Sequence, residues 1–340
     1  ALYGSRIKVK VTDGDILFNC GAGLFVKETT NTATVDSGVD RELELTFENL
    51  HLMYNYGGAG GGMSLALRNA ATVLVQSCAM RKNFAIKGGG IFLYAEPGST
   101  INLKEVQVEG NVVVALGGGV SVSGLSKSEF LNSKVAGNAC FGGGAGVHID
   151  GGTPVDIFVT EILFNVIHED VSTIATLLSS PLSCSHVATT SWCAVEPGMQ
   201  PQVLAAFTEA AEERLQAAMQ ATGNQKRGSG AGIYMRAFSQ LEMTNSLVAH
   251  NSAFHVGGGI FMDSQVLMMG DDLTVFNNTA PTSGGGLQVL QASVHFKGVT
   301  SVSHNSAITG KGGGLACERC KVWLLDLATV TFERNSAVNG

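Results

Sequence analysis

Charge is scarce in this chain. Asp, Glu, Lys and Arg supply 14% of its 340 residues, against roughly a quarter in an ordinary domain. Acids outnumber bases by 28 to 21, giving a net charge of −7. A nucleic-acid partner needs clustered Lys and Arg, so this balance argues against one. A hydrophobic content of 45% with few charges also excludes a disordered chain. Proline is rare, with 6 residues against 44 glycines, and the glycines lack the three-residue period of collagen. No apolar run approaches the roughly 18–20 residues of a membrane-spanning helix, and no signal peptide is visible.

What the chain does have is a repeat. An apolar-x-x-Asn motif occurs as Ile16–Asn19, Leu52–Asn55, Met80–Asn83, Val108–Asn111, Val135–Asn138, Ile162–Asn165, Val248–Asn251, Val275–Asn278, Val302–Asn305 and Phe332–Asn335. Successive asparagines lie 36, 28, 28, 27, 27, 86, 27, 27 and 30 residues apart. Glycine runs ending on an apolar residue follow, as in Gly88–Ile91, Gly117–Val120, Gly257–Ile260, Gly284–Leu287 and Gly312–Leu315. A fixed period of this size marks a solenoid, which grows along one axis without needing separate cores. The last residues, Ser336 to Gly340, stop partway into the turn where earlier copies go on to their glycines. The expectation is therefore a segment of a longer protein.

Within each period apolar residues alternate, as in Ile91-Phe-Leu93 and Val106-Gln-Val108. Alternation is the strand signature, and helical repeats would need a period of 3.6 residues. The fold class expected is all-β: a right-handed parallel β-helix, a three-sided solenoid of about ten coils of 27–28 residues. Asparagine tolerates the left-handed backbone, and its amide can donate one coil along, so a structural ladder is expected through Asn55, Asn83, Asn111, Asn138, Asn165, Asn251, Asn278, Asn305 and Asn335. The glycines permit positive φ at a tight corner.

Two steps exceed the period. The 36-residue step adds a polar loop around 28–38. The 86-residue step adds 86 − 27 = 59 residues, read as an insertion over 169–226 that divides the solenoid into a first part, 1–168, and a continuation, 227–340. The insertion contains Cys184 and Cys193 and then Pro201–Ala221, which reads as a helix with Pro201 at its first position and an apolar stripe of Leu204, Phe207, Ala211, Leu215 and Ala218. That stripe either packs on the flank of the solenoid or docks a partner.

The pairing of apolar-x-x-Asn with Gly-Gly-apolar-apolar resembles the repeats of the chlamydial polymorphic outer membrane proteins, and related repeats of large algal and protist surface proteins. Phe332-Glu-Arg-Asn335 matches the first motif in full, and the other copies carry Val, Ile, Leu or Met in place of Phe. Gly89-Gly-Ile-Phe92 and Gly258-Gly-Ile-Phe261 are close to the second. The resemblance implies a cell-surface or secreted β-helix with adhesive or scaffold roles. Its partners would be other surface or matrix proteins, or glycans, with no cofactor. The helical Ala/Glu-rich insertion points to the algal or protist branch.

Seven cysteines suit an oxidising compartment. Cys184 and Cys193 are candidates for a loop-closing disulfide. Cys317-Glu-Arg-Cys320 has the spacing of a corner disulfide, a free thiol pair or half a metal site, but no second pair supplies further zinc ligands. Cys20, Cys78 and Cys140 read as small buried residues. Asn277-Asn-Thr279 is a glycosylation sequon.

If the residue after each glycine run points inward, two outward columns follow. The first holds His148, Tyr234 and Phe261, and the second Asp150, Arg236 and Asp263. Three coils thereby bring these six together beside the insertion. Asp150 and Asp263 would stand two coils apart, about 9–10 Å, near the limit for an inverting glycosidase pair. The alternatives are a glycan or protein contact patch, or an Asp–Arg–Asp ladder that only stabilises the sheet. An interposed arginine lowers both carboxylates and disfavours a general acid. The function expected is a non-enzymatic structural or adhesive rod, with polysaccharide binding or cleavage as the alternative.

Overall fold

The computed structural model describes residues 6–17, 19, 21–27, 42–68, 70–168 and 228–339. The described chain is an all-β parallel β-solenoid of about 8 turns, with no helix among the described residues. The strands stack into one 18-stranded sheet, one 9-stranded sheet and a third ladder in two pieces of five and three strands. Ser252 joins those pieces through single bridges to Val166 and Thr279. The polar loop at 28–38, Cys20, Cys184, Cys193 and the helix expected at Pro201–Ala221 lie outside the described residues.

The motif apolar-x-x-Asn has a direct structural meaning. Asn111 Oδ1 accepts the backbone N–H of Asn83 at 2.9 Å and its side-chain N–H at 3.0 Å. Asn111 Nδ2 donates to Asn138 Oδ1 at 3.0 Å and to the Met80 carbonyl at 2.9 Å. The same bonds recur at each step, so an uninterrupted amide column runs from Asn19 to Asn335. From Leu52 to Val302 the apolar residue that opens each motif therefore acts twice: its side chain enters the core and its carbonyl accepts from the next coil's asparagine. Interior amides of the column use both donors and two acceptor positions, which removes the cost of burying them.

One detail departs from expectation. The left-handed residue is the one before each ladder asparagine: Tyr54, Lys82, Gly110, Gly137, Phe164, His250, Asn277, His304 and Arg334 all have φ between 49° and 64°. The ladder asparagines themselves stay at negative φ. Their task is the amide, not the corner.

The glycines do make the following corner. Gly144 has φ 65°, Gly257 65° and Gly284 61°. A Cβ on Gly284 would stand 2.6 Å from the Leu287 carbonyl oxygen and 2.7 Å from Gln288 Cβ. Inside, Leu65, Leu93, Val122, Ile149, Met235, Met262 and Val289 form one fully buried column of the main core. A second, smaller cluster of Ala85, Val113, Cys140, Ala145, Ile167, Ala231, Ala253 and Ala280 stands apart from it.

The insertion leaves the solenoid without disturbing it. Val147 pairs with Ile233 and Ile162 with Val248, so strands on either side of 169–227 stack as immediate neighbours. His168 N–H donates to the Cys140 carbonyl, and Gly228 N–H to that of Gly142. His168 and Gly228 thus take the places that Phe141 and Gly142 hold one coil earlier.

Candidate functional site

The six residues proposed from sequence stack in the expected register. His148 pairs with Tyr234 and Tyr234 with Phe261, following Ser121 and preceding Gln288. In the second column Tyr94, Ser123 and Asp150 are aligned, and Arg236 follows, its N–H donating to the Ile149 carbonyl at 3.1 Å. Arg236 Nη2 donates to Asp150 Oδ2 at 2.7 Å.

Their exposure differs from what an outward face suggests. His148, Tyr234 and Phe261 are buried, and so is Asp263. The cause is the glycine corner, which doubles back over the first residue of this face. A Cβ on Gly257 would stand 2.7 Å from Phe261 Cβ, and one on Gly143 would stand 2.9 Å from Tyr234 Cδ1. The rings then lie in a row under that roof, His148 tilted by 43° against Tyr234 at 5.5 Å between centroids and Tyr234 stacked on Phe261 at 5.3 Å. Only Asp150 and Arg236 of the six remain half-exposed.

Electrostatics divide the cluster in the same way. Burial drives the His148 imidazole down to about 3, outweighing the opposing pull of Asp150, while Arg236 and Lys87 add to the fall. It is neutral at ordinary pH, its Nδ1 lying 3.3 Å from Ser121 Oγ. Its Nε2 has no hydrogen-bond partner among the described residues. Burial acts to raise the Asp150 carboxyl, but the hydrogen bond and charge of Arg236 prevail and leave it lowered. Burial likewise acts against the Arg236 cation, and Asp150 outweighs it, so the guanidinium is held more firmly charged. The Tyr234 hydroxyl is raised by burial, with Arg236 opposing. Chemically this is a neutral imidazole under a roof and a fixed ion pair at the surface. Neither group is poised to exchange a proton near neutrality.

Beside the ion pair the structure adds Leu125 and Phe238, which lie off the outward columns, to Tyr94, which the same indexing places two rungs before Asp150 in the second column. Tyr94 is 38% exposed, Leu125 56% and Phe238 64%. Phe238 was legible as an anomaly, since the same corner carries Gly151 and Gly152 one coil earlier.

The remaining candidates are placed as follows. Cys317 and Cys320 form a disulfide, with Cα atoms 5.6 Å apart, across the corner between Leu315–Glu318 and Lys321–Leu324. Cys78 and Cys140 are free and buried, and burial pushes their thiols up to about 11 and about 12. Asn277 is exposed, its side-chain nitrogen 2.9 Å from His250 Nδ1. That contact belongs to a surface row of rings in which Phe164 stacks on His250 at 4.8 Å and Phe276 meets His304 at 5.1 Å. Among the described residues no group of three or more His, Cys, Asp or Glu is placed to hold a metal, and no helix is long and apolar enough to cross a membrane. Comparison with protein-family models, with curated proteins and with solved structures finds no match.

Proposed function

We propose that this chain is a non-enzymatic structural or adhesive segment of a large extracellular or cell-surface protein. In this reading it is a right-handed, three-sided β-helix of ten coils, akin to the polymorphic outer membrane protein repeats, with a mostly helical insertion displayed at one corner. The observation that carries the reading is the amide column, which passes through the coil bearing the insertion without a break: Asn165 Nδ2 donates to Asn251 Oδ1 at 3.0 Å across 86 residues of sequence. A scaffold that stays continuous where a large segment departs is suited to presenting that segment. Partners would be surface or matrix proteins meeting the insertion, and Asn277 would carry a glycan in a secreted protein.

The ion pair supports the same reading against an enzyme, because a carboxylate held ionised by Arg236 makes a poor general acid. Two measurements test it. The purified chain should show no turnover across a panel of neutral and acidic polysaccharides. Turnover that is lost in both Asp150→Asn and Asp263→Asn would replace the reading with an enzymatic one. Deleting residues 169–226 should impair partner binding while leaving the β-sheet circular dichroism intact.

A further inference from the structure

We propose that the surface strip formed by Tyr94, Ser123, Asp150 and Arg236, edged by Leu125 and Phe238, is a binding site for a short neutral oligosaccharide. The proposal rests on the non-enzymatic contact reading above and names the ligand class for one face of the rod.

The first observation is the corner at Phe238. Ala237 and Phe238 both take left-handed backbone, at φ 56° and 63°, where the preceding coil places Gly151 and Gly152 at 74° and 77°. Glycine adopts that conformation freely, whereas a bulky side chain does so at a free-energy cost. Core packing does not offset the cost, because Phe238 is 64% exposed. The left-handed pair itself is the rule of this corner, since Ser264 and Gln265 repeat it at 66° and 61° in the next coil; what sets Phe238 apart is the exposed ring it places there. The neighbouring Gly152 has Leu125 laid across it, Leu125 Cδ2 standing 3.0 Å from where a Cβ would be. Leu125 and Phe238 together give the strip an apolar lip.

The second observation is what lies beside that lip. Tyr94, Ser123 and Asp150 occupy consecutive rungs and Arg236 the next. At the strand spacing the strip is about 14 Å long, room for about three sugar rings. It offers one exposed ring at its far end, a hydroxyl, and an ion pair whose side chains retain 36% and 23% of their surface. Aromatic faces take the C–H faces of a pyranose, and carboxylate and guanidinium take its hydroxyls.

Charge selects the class of sugar. Asp150 and Arg236 cancel each other at 2.7 Å, so the arginine has no unspent charge for a uronate. The chain's net −7 repels a polyanion further. Size selects against a protein: six side chains fall well short of the roughly 20–30 residues per side of a stable protein interface.

The test is titration of the whole chain with maltotriose, cellotriose, mannotriose and xylotriose, with trigalacturonate as the anionic control, followed by NMR and calorimetry. At least one neutral trisaccharide should bind, and trigalacturonate should bind at least tenfold more weakly. Phe238→Gly should weaken binding tenfold or more while the thermal midpoint stays level or rises, because glycine relieves the corner. Tyr94→Ala should weaken it similarly from the other end. No binding by any neutral trisaccharide overturns the proposal and leaves the scaffold reading standing. So does binding that Phe238→Gly does not change, or a preference for trigalacturonate. A folded protein captured through Phe238 without saccharide binding also overturns it, in favour of a protein interface. Cleavage of a bound trisaccharide would instead sink the non-enzymatic reading while the binding site stands.

Discussion

Asn138 shows how much rests on a single side chain. It accepts two bonds from Asn111 and donates to Asn165 Oδ1 and the Val108 carbonyl. Asn138→Ala removes all four of these bonds from the buried column, leaving the Asn111 backbone N–H without its acceptor, and should destabilise the chain by about 3 kcal/mol or more. Asn277→Gly, one residue before a ladder position but exposed, should stay within about 0.5 kcal/mol. Urea unfolding of the two variants measures the contrast. His148 makes a second prediction at this scale. Its folded value of about 3 lies below the roughly 6.5 of an unfolded histidine. The unfolded chain therefore binds the proton first, so this group's contribution is intact above about pH 6.5 and is lost as pH falls toward 3. Asp150, held low by Arg236, works in the same direction at the acid end. His148→Phe should flatten the fall in thermal midpoint between pH 6.5 and 4. An unchanged slope would show that the imidazole is not the group being charged.

At the scale of the element, glycines in one period have different duties. Gly137 has φ 60°, and a Cβ there would meet nothing nearer than the Gly110 nitrogen at 4.0 Å. Gly284 has nearly the same φ, 61°, but its Cβ would collide with the backbone three and four residues on. Gly137→Ala should cost about 1–2 kcal/mol for conformation alone. Gly284→Ala should add a further clash of about 1–3 kcal/mol. Denaturation midpoints of the two variants decide whether the corner is tight for conformational or for steric reasons. The same corner explains what could be read from sequence and what could not. Strand register followed from aligning each residue after a glycine run, because parallel stacking repeats one coil on the next. The columns through His148–Tyr234–Phe261 and Tyr94–Ser123–Asp150 were therefore legible. Burial of the first column was not, since it depends on the glycine turn folding back over it, which alternation does not encode. The left-handed residue was misplaced by one position for a related reason: glycine at 110 and 137 hints at it, but Phe164, His250 and His304 hide the pattern.

For the whole molecule, the insertion is an addition and not an interruption. The step from Asn165 to Asn251 exceeds one period by 59 residues, and Val147–Ile233 and Ile162–Val248 pair across it in register. Joining His168 directly to Gly228 should therefore restore a coil of ordinary length, with Phe141-Gly142 as its template. The shortened chain should keep the β-sheet circular dichroism spectrum and a cooperative melt. Collapse of either would mean that the excised residues help to hold the coils together.

Each amide-to-amide link in the asparagine column points the same way: Nδ2 of one ladder asparagine reaches Oδ1 of the ladder asparagine one coil on, never the reverse. The rod is thus vectorial. Its two faces are chemically unlike, one offering amide oxygen and the other amide hydrogen. A further turn can extend the column only head to tail, and one laid on upside down would set like against like. Such a filament has a built-in arrow, so whatever grips its side meets a surface with a defined up and down.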